Sequence, residues 1–558
     1  MPVSRRLFLL LTLASGATAF LAAQTTHISR IDRDLTEVTI PQLERYYETH
    51  RYTVAGVVNW YIARIEKYDG IYLAVESRDF KGALATAARE DEEAKSGKLS
   101  RTPLWGVPIV IKANTSIQGR TTTDGWSGFV IPGHELVAPK DAAVVAKLKA
   151  AGAVILGQTN MPDFAASDTS RSTSFGRTGN AYDVRFSPGG SSSGTVTAVT
   201  SNFTMIGTGT DTSNSIRMPS ATSSLVGVLP TRGLVSIAGI APLDWLLDNT
   251  GPIARTVTDA AIALNVMAGE DPADFRTKGS ASAAQPGPYT RYLNKDALKG
   301  KRLGVPAFIV MNQAPSGRGA LQPETRAAFI KAIEGLRAAG ATVVFDDALL
   351  PATFQEAVTK INTRPYRLDG TNSFLKSYGP AQYHSAAEYE KIIGSPIPTT
   401  ITGLPQPAGD RPGRGGNGPD QAPVPQVVLA NDPGADKNFF KPQREALALF
   451  TEAMERFHLD GFVYPATQMP PPDETMPQNG QLSGGPHSAT GWVNRIGVPA
   501  VVVPGGFYPS GLPFGLEISA AKWKDGDLLS FAFAYEQATK YRRPPVLVEK
   551  GLLPKPGR

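Results

Sequence analysis

Two hydrophobic periods alternate along the chain. Apolar side chains recur every three to four positions over residues 53–67, which predicts an amphipathic helix. Asp141 is placed to cap a second helix running to Ala151, and Gly152 then turns the chain into the apolar run Val154-Ile155-Leu156, read as a strand. The β-branched run Val107-Pro108-Ile109-Val110-Ile111 predicts a central strand ending in Lys112. Residues 195–199 read as a short helix and 204–206 as a buried strand; later, 302–310 read as a strand, 323–339 as a helix and 341–345 as a strand. Strands alternating with helices predict a layered α/β fold rather than a sandwich, over one large domain from residue 30 to residue 545. Residues 395–426 are so rich in Pro and Gly that no regular structure is expected there. They read as a solvated surface insertion, with a flap over a pocket as the second possibility.

Chemistry enters where small polar residues interrupt the apolar runs. Gly189-Gly190-Ser191-Ser192-Ser193-Gly194 can turn sharply, because glycine accepts positive φ and close backbone approach. A second small-residue loop runs over residues 209–215, Gly-Thr-Asp-Thr-Ser-Asn-Ser. A lysine ending a buried strand loses hydration, which disfavours its ammonium form and makes it a candidate neutral base. A serine hydroxyl is a weak nucleophile at neutral pH and needs such a base. Lysine and serines together point to acyl transfer.

Lys112, the glycine/serine loop and the segment Gly209-Thr210-Asp211-Thr212-Ser213-Asn214-Ser215-Ile216-Arg217-Met218-Pro219 together resemble the amidase signature family. The likeness extends through residues 157–164, 248–255 and 494–500, and covers roughly residues 35–540. It implies a layered α/β/α fold around a central mixed, mostly parallel sheet. It also implies a Ser-cisSer-Lys triad in which Ser215 is the nucleophile, Ser191 the proton relay and Lys112 the base. The backbone N–H groups of Thr212, Ser213, Asn214 and Ser215 are then the candidate oxyanion hole. Ser167 and Asp168 follow the segment where the family's substrate pocket begins, so they are candidate substrate-binding residues, a turn or cap role being the alternative. The reaction implied is hydrolysis of a carboxamide through an acyl-enzyme, with ester or carbamate hydrolysis by the same route as the alternative.

Two positions depart from the family. Ser213 and Asn214 stand where two glycines are usual, and Ala113 follows the lysine where Asp is common. The first departure motivates an alternative of another class, a catalytically impaired binding protein on the same scaffold. Arg217 is expected to pair with Asp211 as a structural ion pair, and Ser192 and Ser193 to cap the helix behind them. Gly190-Ser191-Ser192-Ser193-Gly194 also fits the nucleophile elbow G-x-S-x-G, with Ser192 as nucleophile, but Pro188 argues against the strand that such an elbow requires. Trp492, Phe507, Tyr508 and Phe514 are candidates for lining a substrate pocket, or plain packing.

Composition narrows the rest. The 558 residues include no cysteine, so disulfides, thiol nucleophiles and thiolate metal sites are excluded, and six scattered histidines suggest no metal centre. A formal charge of +6 without a basic run does not point to nucleic acid. No dinucleotide or P-loop pattern occurs, so no cofactor is expected and the partner is a small-molecule amide. Ser4-Arg5-Arg6 followed by an apolar stretch, with Ala17-Thr18-Ala19 as a cleavage region near Ala19, reads as an export signal over residues 1–23 of twin-arginine type, an ordinary secretory signal being the alternative. The mature chain is expected to be periplasmic or secreted, with no stable membrane association.

Overall fold

The computed structural model describes residues 29–97, 102–310, 321–404, 424–477 and 481–545. The expected export signal lies outside these residues, as does most of the Pro/Gly-rich insertion. The chain divides into two units, Met1–Thr36 and Glu37–Arg558. In the first, helix Arg30–Leu35 is capped by Ser29, whose hydroxyl accepts from the Asp32 N–H.

The second unit is built on strands β1 (Val75–Arg78), β2 (Val107–Lys112), β3 (Ala153–Thr159), β4 (Arg171–Ser172), β5 (Gly176–Arg177), β6 (Ile206–Asp211), β7 (Val226–Leu229), β8 (Asn249–Ala254), β9 (Arg302–Pro306), β10 (Thr342–Asp346), β11 (Gly461–Pro465), β12 (Ala500–Phe507) and β13 (Pro513–Ser519). Eleven of them form one sheet in the order β1-β3-β2-β6-β8-β7-β12-β13-β11-β9-β10, while β4 and β5 pair separately. The α/β class is as expected. The sheet is mixed, but the expected parallel majority is not found: among the described strands six neighbour pairings are antiparallel and four parallel. Parallel pairing holds where a helix carries the chain across, as from β2 through helix Ala143–Ala150 to β3. In the middle of the sheet, chain reversals replace crossovers: β12 turns into β13 at residues 508–512, where Tyr508 N–H donates to Leu512 O at 2.9 Å.

The predicted helix over 53–67 forms as Val54–Tyr72, with Thr53 Oγ1 accepting from Gly56 N–H and Val54, Val57, Val58, Tyr61 and Ile65 buried at helical spacing. Helix Ala143–Ala150 begins at Ala142, not at an Asp141 side-chain cap; Asp141 instead accepts from Gln118 N–H and pairs with Lys149. Gly152, at φ +83, brings its Cα so close to Trp105 that a Cβ would sit 2.7 Å from the tryptophan Cα, so a side chain cannot replace it. The apolar stretch 302–310 divides into β9 and the helical turn Ala307–Val310 after Pro306. Part of the insertion is regular: Thr399–Thr402 makes one helical turn closed by Gly403 at φ +66. Trp492 sits in an apolar cluster against Phe354, Phe450 and Tyr464, Tyr508 packs on Phe514, and Phe507 on Tyr182. These aromatics are packing residues in three places, not one pocket wall.

Candidate active site

β2 lies between β3 and β6 with all six residues buried, and this burial is what shapes Lys112. Its backbone N–H donates to Thr208 Oγ1 at 3.1 Å, locking the strand end against β6. Its ammonium nitrogen is ringed by hydroxyls: Ser191 Oγ at 2.7 Å, Thr210 Oγ1 at 2.8 Å and Ser192 Oγ at 3.1 Å. Asn114 Nδ2 donates to the same Thr210 oxygen at 3.0 Å. Burial pulls the lysine down to about 7, and the nearby carboxylates of Asp124, Asp211 and Asp248 only partly offset it.

The glycine/serine loop approaches this amine from above β2. The Gly190–Ser191 peptide is cis, and Gly190 faces the backbone of residues 167–169 so closely that a Cβ would lie 2.3 Å from Thr169 O. Ser192 occupies the N-cap position of helix Ser193–Thr200 but makes no capping bond, because its hydroxyl is taken by Lys112. Ser193 Oγ is buried with no partner among the described residues. Ahead of the loop, Phe186 makes only an isolated bridge to Asp473, so the strand needed for an elbow with Ser192 as nucleophile is absent there.

β6 runs to Asp211, further than the expected strand over 204–206, and the second loop starts only at Thr212. Thr212 Oγ1 donates to Asp248 Oδ1 at 2.5 Å. Asp211 Oδ2 accepts from Ile216 N–H at 3.1 Å and from Arg217 Nε at 3.2 Å, and Asn494 Nδ2 donates to Asp211 O at 2.7 Å. The expected Arg217–Asp211 pair therefore forms, and Arg217 also reaches Glu517 on β13 at 2.5 Å and the Ser213 carbonyl. Burial works against this guanidinium, but the two carboxylates outweigh it and raise its proton affinity. All three side chains are fully buried. Truncating Arg217 strands two buried carboxylates, so Arg217→Ala is expected to lower stability by about 3–5 kcal/mol, measured by urea denaturation. An unchanged midpoint contradicts a structural role for these buried ion pairs.

Ser215 is only slightly exposed, and its hydroxyl makes no hydrogen bond among the described residues. Its carbonyl accepts from Ser192 N–H at 3.3 Å, tying the two loops together. The structure thus joins Lys112 to Ser191 directly and brings the Ser215 loop alongside, while the Ser191–Ser215 hydroxyl contact is not closed. The backbone N–H groups of Thr212, Ser213, Asn214 and Ser215 donate to no acceptor among the described residues, and Asn214 Nδ2 is likewise buried without a partner. Ser167 Oγ bonds Thr169 Oγ1 at 2.8 Å and accepts from Thr169 N–H, the turn role weighed for it, while Asp168 Oδ2 lies 3.2 Å from His487 Nδ1.

Comparison with known proteins bears on this geometry. The family profile described as Amidase matches residues 56–375, more than half of the chain. The chain belongs to the amidase signature family. Similar curated members include a glutamyl-tRNA(Gln) amidotransferase subunit of Symbiobacterium thermophilum, 31% identical over 88% of this chain and 94% of that protein. The corresponding subunit of Moorella thermoacetica is 32% identical over 86% and 92%. Among solved structures, the peptide amidase of Stenotrophomonas maltophilia is 28% identical, covers 91% of this chain and 98% of its own, and superposes with a TM-score of 0.70. A bacterial aryl acylamidase, 22% identical over 90% and 96% with a TM-score of 0.67, shares the fold. This amidase signature protein is accordingly a carbon–nitrogen hydrolase or an amidotransferase by family. Thr210 and Asn114, which hold the lysine, are members of its site that sequence reasoning passed over. The available signal was the strand period of two, which puts Thr208 and Thr210 on one face of β6.

Proposed function

We propose that this protein is an exported serine amidase that hydrolyses a carboxamide to acid and amine through an acyl-enzyme on Ser215. The observation that carries the proposal is the fully buried Lys112 amine 2.7 Å from Ser191 Oγ. Lys112 draws the proton from Ser191, which takes that of Ser215 as its oxygen attacks the carbonyl carbon. The unengaged N–H groups of Thr212 to Ser215 receive the oxyanion. The relay reversed protonates the leaving amine, and water then hydrolyses the ester. The substrate is a small amide, and Ser167 and Asp168 bind it beside the Ser191 loop, against which their backbone packs.

The similarity to a peptide amidase makes peptide amides the first compounds to assay, followed by esters and carbamates, which the same route serves. The amidotransferase relatives support a second reading, glutamine hydrolysis serving a transfer reaction. The leader with Arg5 and Arg6 favours the stand-alone periplasmic or secreted hydrolase. Purified protein reacting with a serine-directed fluorophosphonate, and turning over amides other than glutamine with no other protein added, is the expected result. Failure to label contradicts the enzyme and leaves the binding protein; turnover of glutamine and no other amide favours the second reading over the stand-alone amidase.

The base must be uncharged to accept a proton. Because burial brings Lys112 down to about 7, kcat/KM is expected to be low at pH 5, rise tenfold per unit and level off above about pH 7. A profile flat between pH 5 and 8 contradicts the lysine as base.

A further inference from the structure

The chemistry above does not use His487, yet this residue stands where the supports of the two serine loops meet. Its Nδ1 lies 3.2 Å from Asp168 Oδ2, and because an ionised carboxylate only accepts, the ring nitrogen facing it carries the hydrogen. Each partner is fastened to a different half of the site. Asp168 belongs to residues 167–169, whose backbone lies behind the cis Gly190–Ser191 peptide: a Cβ on Gly190 would sit 2.5 Å from Ser167 O and 2.9 Å from Asp168 C. His487 begins a run that ends on the nucleophile loop. There Thr490 O and Oγ1 accept from Arg217 Nη1 at 3.1 and 2.9 Å, a Cβ on Gly491 would meet Ser213 Oγ at 2.5 Å, and Asn494 Nδ2 donates to Asp211 O at 2.7 Å. Two residues before His487, Gly485 packs so closely on Asp168 that a Cβ would be 2.4 Å from the aspartate carbonyl oxygen. Residues 485–494 therefore form a strap from the support of the Ser191 loop to the loop carrying Ser215. His487 is in left-handed conformation at φ 54, which a residue with a side chain adopts where its surroundings impose it. The contact with Asp168 and the bond from Gln468 N–H to His487 O at 3.1 Å hold it there.

We propose that His487 is a positioning residue: its contact with Asp168 anchors the strap and so sets Ser191 against Ser215 for proton transfer. This rests on the proposed function. Lys112 and Ser191 are already in contact at 2.7 Å, whereas the bond that ties Ser192 N–H to Ser215 O is 3.3 Å long. A bond of that length sets the separation of the two hydroxyls only loosely, and a misplacement of about 1 Å can cost on the order of a hundredfold in rate. The strap supplies a second constraint from the opposite ends of both loops. His487 itself takes no proton from the serines and makes no bond to the carbonyl.

The test is a double-mutant cycle on the rate of Ser215 labelling by a fluorophosphonate, which needs no knowledge of the amide, with the melting temperature followed in parallel. His487→Ala and Asp168→Ala are each expected to slow labelling roughly tenfold. The double variant is expected to be no more than about twofold slower than either single one, because all three lose the same contact. His487→Asn is expected to recover most of the rate, since asparagine accepts the left-handed backbone and its Nδ2 can donate in place of the ring Nδ1. In amide turnover by His487→Ala the loss should fall on kcat, with KM within about twofold of the parent. Labelling of His487→Ala within about twofold of the parent, single effects that multiply in the double variant, or a loss confined to KM each overturn the proposal. An unlabelled parent overturns the amidase itself, a different outcome. The His487 side chain is 25% exposed, so the fold is expected to survive its truncation. If Asp168→Ala does not fold, the two His487 variants decide, and an asparagine variant no faster than the alanine one refutes the contact.

Discussion

Ser215→Ala is expected to abolish fluorophosphonate labelling and to lower amide turnover by roughly 10⁴- to 10⁶-fold, the scale seen when an acyl-transfer nucleophile is removed. Only the residual electrostatic and binding contributions of the loop then remain. The Ser215 hydroxyl makes no hydrogen bond among the described residues, so its loss leaves no partner there unsatisfied. The melting temperature should therefore stay within about 1 °C of the parent. Intact-mass and peptide mapping after labelling check the assignment. Label found on Ser191 or Ser192 in the parent, or persisting in the variant, removes Ser215 from the chemistry.

Lys112→Met is expected to lower turnover by roughly 10³-fold or more and, against that loss, to raise stability at neutral pH. Methionine has a similar length and needs no hydration. The parent lysine falls from 10.5 to about 7 on folding, chiefly because burial removes water from the ammonium. Between those values the unfolded chain binds the proton that the folded chain lacks, so this group makes the parent more stable as pH rises from about 7 toward 10.5. At pH 7 and below the deficit is full, on the order of 4 kcal/mol. The variant forfeits contacts with three hydroxyls, each a net contribution of about 1 kcal/mol. A gain of about 1 kcal/mol at pH 7 remains, and it should shrink and reverse by about pH 10. Urea denaturation of both proteins at about pH 7, 8.5 and 10 checks this, and a stability difference independent of pH contradicts the shift. A functional lysine kept at the expense of stability is the pattern expected of an active site.

The residues proposed to do the chemistry were legible because chemistry is demanding of side-chain type. A lysine at the end of Val107–Lys112 has no reason to be there in a plain core strand, and serines spaced to meet it complete the group. The supporting residues were less so. β6, with sequence Ile-Gly-Thr-Gly-Thr-Asp, looks like a loop by propensity, yet its glycines are required by neighbours that local sequence does not reveal: a Cβ on Gly207 would meet Thr195 Cγ2 at 2.6 Å, and one on Gly209 would meet Ile253 Cδ1 at 2.8 Å. After Arg302 the run 303–310 is apolar throughout, so its change from strand to helix at Pro306 leaves no trace in periodicity. Strand direction was misjudged for a similar reason. Alternation of strands with helices marks crossovers in the β2–β3 region, but nothing in the period of β7, β8, β12 or β13 records which way each strand runs.

The hydroxyls of Ser191, Ser192 and Thr210 around Lys112 Nζ have a dynamic consequence. Each can turn about its C–O bond, offering a lone pair to the ammonium or, in turn, a hydrogen to the free amine. The gain or loss of a charge deep in the protein can then be absorbed by light-atom rotation, with the carbon, nitrogen and oxygen framework stationary. Such a cage behaves as a few fixed molecules of solvent whose reorientation demands little energy, and a lattice-bound crystal of the protein should accommodate each proton shuttle as readily as the molecule in free solution.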